Sequence, residues 1–119
     1  MSRLYGVLPW GLIALGTLHM AATWRFYHEL TSASLWFFNG GLVLVFAGVL
    51  NLINRRHGAQ VHAIRRFCLA VNVVTLCFAA VSGVVDRASW ASFAFVIGLM
   101  ATITILSVTA LGFRGAPLR

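Results

Sequence analysis

Polar residues in this chain are confined to short intervals between long apolar runs. The runs cover residues 4–24, 35–53, 64–85 and 90–113, and each approaches the roughly 20 apolar residues a helix needs to cross the hydrocarbon of a bilayer. The pattern predicts an all-α fold, a multi-pass integral membrane protein built as one antiparallel four-helix transmembrane bundle. The connectors leave no room for a separate soluble domain, so residues 1–119 are expected to form a single transmembrane domain.

The third run is the most strongly patterned. Alternating steps of three and four residues from Arg65 select Cys68, Asn72, Thr75, Ala79, Ser82 and Asp86, all small or polar. The same stepping from Phe67 selects Val71, Val74, Phe78, Val81 and Val85, all bulky and apolar. These steps follow single faces of a helix, so the helix has a polar front and an apolar back. The middle of the front, Asn72 with Thr75 and Ala79, is expected to pack against the second or fourth helix. Its first members, Arg65 and Cys68, read mainly as an anchor near the membrane surface.

The other runs carry weaker signals. The first ends in Trp24, Arg25, Phe26 and Tyr27, an aromatic and basic interface anchor. Its length exceeds the apolar core of a signal peptide, about 7 to 15 residues, which predicts a retained span, with Pro9 a possible kink. Thr31, Ser32 and Ser34 are candidate caps for the second helix. On that helix Gly41, Leu44 and Gly48 form a stripe that admits a close neighbour, and Ala94, Gly98 and Thr102 repeat the pattern on the fourth.

Composition identifies the solvent. The chain is 61% hydrophobic and 9% charged, against about 25% charged in a soluble domain, so lipid must surround most of it. The net charge of +7 comes from nine arginines and no lysine against Glu29 and Asp86. The arginines sit at the ends of apolar runs, where membrane orientation accounts for them and a nucleic-acid partner is not expected. Arg3, the four arginines of residues 54–66, Arg114 and Arg119 fall on one side, with Arg25, Arg87 and both acids on the other. That asymmetry predicts cytoplasmic N and C termini. The absence of lysine suggests a G+C-rich bacterial source and hence the bacterial cytoplasmic (inner) membrane. Arg55, Arg56, Arg65 and Arg66 are candidate contacts for anionic lipids.

Depth can be counted at about 1.5 Å per residue. His19, Asn39 and Ser82 then fall at similar depth, with Asp86 just above them. These four are the candidate ligand-binding residues, and Arg25, His28, Glu29 and Arg87 would line the mouth of the same pocket. Intramembrane ionisable groups by default mark a site, although a single interhelical hydrogen bond would satisfy a neutral His19. Asn72 and Thr75 fall near mid-membrane with Asn51 within reach, either as packing contacts or as ligand donors. No catalytic residue is assigned.

Cofactor chemistry is constrained by the histidines. Only His19 lies well inside a span; His28 faces away from it, and His57 and His62 belong to the opposite side. No histidine pair can reach one haem iron within a monomer, so haem b is not expected. Zinc lacks three or four convergent ligands, and no metal or other cofactor is expected. Cys68 and Cys77 are nine residues apart on one helix, about 13 Å in rise, too far to pair.

In outline the chain resembles the small multidrug-resistance exporters, but its first helix lacks the glutamate those proteins require. In size and hairpin layout it is similar to small DoxX-like proteins, with no motif that carries residues across. The functional expectation is a small membrane protein whose outward-facing polar pocket binds or passes a small or amphipathic ligand. The alternatives are an accessory subunit, homo-oligomeric or within a larger membrane complex, and an intramembrane enzyme acting on a lipid or quinone-like substrate with His19 as acid or base. A non-enzymatic role is favoured.

Overall fold

The computed structural model describes residues 3–85 and 90–112, with side chains as far as Thr109. Four helices follow in order: α1 (Leu4–Phe26), α2 (Ser32–His57), α3 (His62–Val85) and α4 (Trp90–Gly112). All four are long and apolar enough to cross a membrane, and no strand occurs among the described residues. The protein is a four-helix bundle of transmembrane type.

Cross-helix contacts fix the helix directions. Tyr5, at the start of α1, meets Asn51 and Asn54 near the end of α2, whereas Gly16 meets Gly41 nearer the other end. Asn51 reaches Asn72 on α3, and Arg65, early in α3, reaches Val108, late in α4. Neighbouring helices are therefore antiparallel. One end of the bundle carries the α1–α2 connector and its aromatic residues; the other carries the α2–α3 turn and its arginines.

The α1–α2 pair is the tightest contact. A Cβ on Gly16 would lie 2.5 Å from the Gly41 carbonyl oxygen, and one on Gly48 would lie 2.7 Å from the Pro9 carbonyl oxygen. Only residues without a side chain let the two backbones touch, which is how helices associate when lipid removes the hydrophobic drive. The expected Gly41–Leu44–Gly48 stripe is thus consumed inside the bundle. Leu12, Leu44 and Ala47 continue this core toward Met100, Ile103 and Leu106 of α4.

The two faces of α3 behave as their patterning predicts. Cys68, Asn72 and Thr75 are buried and Ala79 and Ser82 half-buried, whereas Phe67, Val74, Phe78, Val81 and Val85 are exposed; Val71 on the apolar back is half-buried. In water this arrangement would be inside out, but in lipid it leaves the polar groups with protein partners and the bulky groups with hydrocarbon.

Helix α2 is longer than its apolar run at both ends. Thr31 and Ser34 form a capping box, the Thr31 hydroxyl accepting from the Ser34 amide at 3.2 Å and the Ser34 hydroxyl accepting from the Thr31 amide at 2.8 Å. Beyond residue 53 the backbone stays helical through Arg55, Arg56 and His57, side chains that suit the negative end of the helix dipole.

Candidate functional site

A cluster of polar side chains and an aromatic cluster around Phe37 lie toward opposite ends of the bundle. At the basic end, five side chains from three helices form a closed network. The carboxamides of Asn51 and Asn72 bond reciprocally, at 2.7 and 3.0 Å. The Asn51 carbonyl oxygen also accepts from the Tyr5 hydroxyl at 3.0 Å and from the Cys68 thiol at 3.4 Å. Asn51 returns its second amide hydrogen to the Ala47 carbonyl at 2.8 Å. Asn54 donates to the Tyr5 hydroxyl at 2.7 Å. All five residues are almost completely shielded, and among the described residues the only buried side-chain nitrogen or oxygen lacking a partner is Asn54 Oδ1.

This network revises two expectations. Cys68 is a buried member of the cluster rather than a surface anchor, because its turn of α3 faces Asn51 instead of the headgroups. Tyr5 and Asn54 join Asn51 and Asn72, although neither was a candidate from sequence. Asn54 sits three residues after Asn51 on the same face of α2, a spacing meaningful only once the helix is known to continue through His57. The chemistry here is uncharged and, apart from Asn54 Oδ1, mutually satisfied. It clamps α1, α2 and α3 together, and buried polar networks of this kind rigidify when complete.

At the aromatic end His19 lies half-buried on α1. Its imidazole stacks on the Phe37 ring of α2 with centroids 3.9 Å apart and planes inclined by 19°. A Cβ on Gly40 would stand 3.4 Å from His19 Nε2, an ordinary van der Waals contact, so the ring edge lies over this turn of α2. Phe26 and Tyr27 pack on Phe37 at 6.1 and 5.6 Å, building an aromatic cluster on the ring that holds the imidazole. The cluster forms where the capping box turns the chain into α2 and the Tyr27 amide closes α1 on the Thr23 carbonyl at 2.9 Å.

The other sequence candidates are placed unevenly. Ser82 is partly buried on α3, beside Gly83, over which the Phe93 ring of α4 lies. Asn39 is exposed on α2, as are Arg25, His28 and Glu29 at the connector. Asp86 and Arg87 lie outside the described residues. Of the proposed constellation, His19 is the member held by partners on a neighbouring helix, and those partners, Phe37 and Gly40, carry no hydrogen-bonding side chain that sequence reasoning would single out.

Among the arginines, Arg65 donates from Nη2 to the Val108 carbonyl of α4 at 2.9 Å. Arg55, Arg56 and Arg66 are all exposed, but Arg55 lays its guanidinium across Gly6 of α1.

Fold and polar clusters together define an all-helical, four-span membrane bundle with one closed and one partly open polar end. Compared with protein-family models, curated proteins and solved structures, the chain matches none.

Proposed function

We propose that the protein binds a small amphipathic molecule at the aromatic end of the α1–α2 seam, with His19 as the polar contact. The observation that carries this reading is the half-open imidazole of His19, pinned on Phe37 at 3.9 Å. The stacked ring also hydrogen-bonds the Phe37 backbone and is held in one orientation, so a ligand head group meets its other nitrogen at little entropic cost. The exposed Leu18, Trp24 and Phe26 nearby offer apolar surface to a chain lying along the helix. In this reading the basic end faces the cytoplasm together with both termini, as the arginine asymmetry favours, and the membrane is the bacterial inner membrane.

Thermal unfolding in mild detergent tests the site with dodecyl amphipaths that differ only in head group: alcohol, amine or carboxylic acid. A ligand present at about 100 times its Kd stabilises the folded state by about 2.7 kcal/mol. At least one member is expected to raise the midpoint of the wild type and leave His19→Ala unmoved. Equal shifts in both proteins, or none, would refute the reading; a destabilised His19→Ala with ligand response intact would make His19 a packing residue.

A second reading, an oligomeric or accessory subunit, draws on α4. Ala94, Gly98 and Thr102 are all exposed, and a Cβ on Gly98 would meet nothing within 4 Å. Gly98→Leu is therefore expected to leave the stability of a monomer unchanged and to break any self-association through this face, as read by analytical ultracentrifugation in detergent.

A further inference from the structure

The arginines at the basic end are not equivalent, and one of them is seated. A Cβ on Gly6 would lie 2.8 Å from Cζ, 2.9 Å from Nη2 and 3.1 Å from Nη1 of Arg55, so the whole guanidinium plane covers the first turn of α1. Arg3 lies on the same turn, exposed, its carbonyl accepting from the Gly6 amide at 3.0 Å. Arg65, by contrast, is engaged with the Val108 carbonyl. The carboxylate among the described residues, Glu29, sits in the connector at the opposite end. This end therefore presents cationic forks with no described acid nearby to neutralise them.

We propose that Arg55 and Arg3 form a binding site for the phosphate of an anionic phospholipid across the α1–α2 seam. Guanidinium matches phosphate in a fork geometry that ammonium cannot reproduce, and a lipid phosphate lies at the depth where apolar helices give way to arginines. The occupant is a lipid because the site stands at the rim of spans whose outer faces are apolar, which accommodate its chains while the phosphate meets the arginines. Directly inside this rim lies the Tyr5–Asn54 bond that joins the same two helices. A lipid bridging Arg3 and Arg55 would thus reinforce the seam from outside. Topology alone would require the charge but not its placement on Gly6.

Native mass spectrometry of the full chain in mild detergent, titrated with phosphatidylglycerol or phosphatidylcholine, tests the site. Nonspecific attraction weakens anionic-lipid binding by about fivefold for each arginine lost near the surface, whichever one it is. The seated site instead expects Arg55→Gln to lose more than tenfold in phosphatidylglycerol affinity, with Arg56→Gln and Arg66→Gln near the nonspecific value. Gly6→Ala, which keeps every charge but shifts the guanidinium off its seat, should lose part of the same affinity. Equal losses for all three arginine variants with Gly6→Ala unaffected would overturn the proposal. So would displacement of phosphatidylglycerol by equimolar inorganic phosphate, which would mark a free-anion site.

Discussion

Asn51 carries more of the bundle's polar connectivity than any other described residue. Its carbonyl oxygen accepts from Tyr5, Asn72 and Cys68, and its amide donates to Asn72 and Ala47. Removing it leaves three donors inside a region without water, and a buried group stripped of its partner costs about 1–3 kcal/mol. Asn51→Leu is therefore expected to destabilise the protein more than Tyr5→Phe, which leaves Asn51 with Asn72. A double-mutant cycle of Asn51→Leu and Asn72→Leu should return a coupling of about 1 kcal/mol, measured by reversible unfolding in mixed detergent. Near-zero coupling would mean that the amide pair adds nothing to packing. The Asn51–Asn72 proximity was readable from depth counting along two antiparallel helices. Tyr5 was not, because a tyrosine next to an N-terminal arginine has the same sequence signature as an interface anchor, and only the close approach of α1 to α2 turns it inward.

At the scale of elements, glycine governs the distance between α1 and α2. Gly16 and Gly41 place each carbonyl oxygen against the other helix's Cα, and their would-be Cβ positions clash at 2.5 and 2.6 Å. The nearest blocking atoms are backbone, which cannot swing aside as a flexible side chain can. Gly41→Val is accordingly expected to cost at least the about 1–3 kcal/mol typical of overpacking, seen as a lowered unfolding midpoint. Gly98→Leu, on an open face, should cost almost nothing in the monomer. The two small-residue stripes look alike in sequence and differ only in whether the bundle's own helices fill them. That distinction depends on which way α4 turns, and the nearly uniform apolarity of α4 gives periodicity little to report. The third helix is the opposite case, since its contrast between Cys68–Asn72–Thr75 and Phe67–Val74–Phe78 fixes its orientation directly.

For the molecule as a whole, the two ends differ: one is held by a buried polar network, and the other carries the proposed binding site. The basic end is tied by a network that satisfies nearly all its own polar groups and is fringed by arginines. The aromatic end keeps a half-buried imidazole on an aromatic cluster, with an exposed connector beyond it. Orientation is tested at this scale: in a variant lacking both native cysteines, Ser32→Cys should react with membrane-impermeant maleimide on intact cells, and His57→Cys should not. Fold class was legible because span length and charge placement are set by the bilayer itself. The candidate site was legible only in part: His19 stood out as an ionisable group inside a span, but its partners are a phenylalanine and a glycine, residues whose relevance appears once two helices are side by side.

The claim that the aromatic end receives a ligand through His19 is tested most directly by histidine footprinting. Diethyl pyrocarbonate would be applied to the detergent-solubilised protein with and without a saturating dodecyl amphipath, and carbethoxylation read at each histidine by mass spectrometry. Protection of His19 with unchanged rates at His57 and His62 is the expected result. A His19 rate that is the same with and without the amphipath would contradict it.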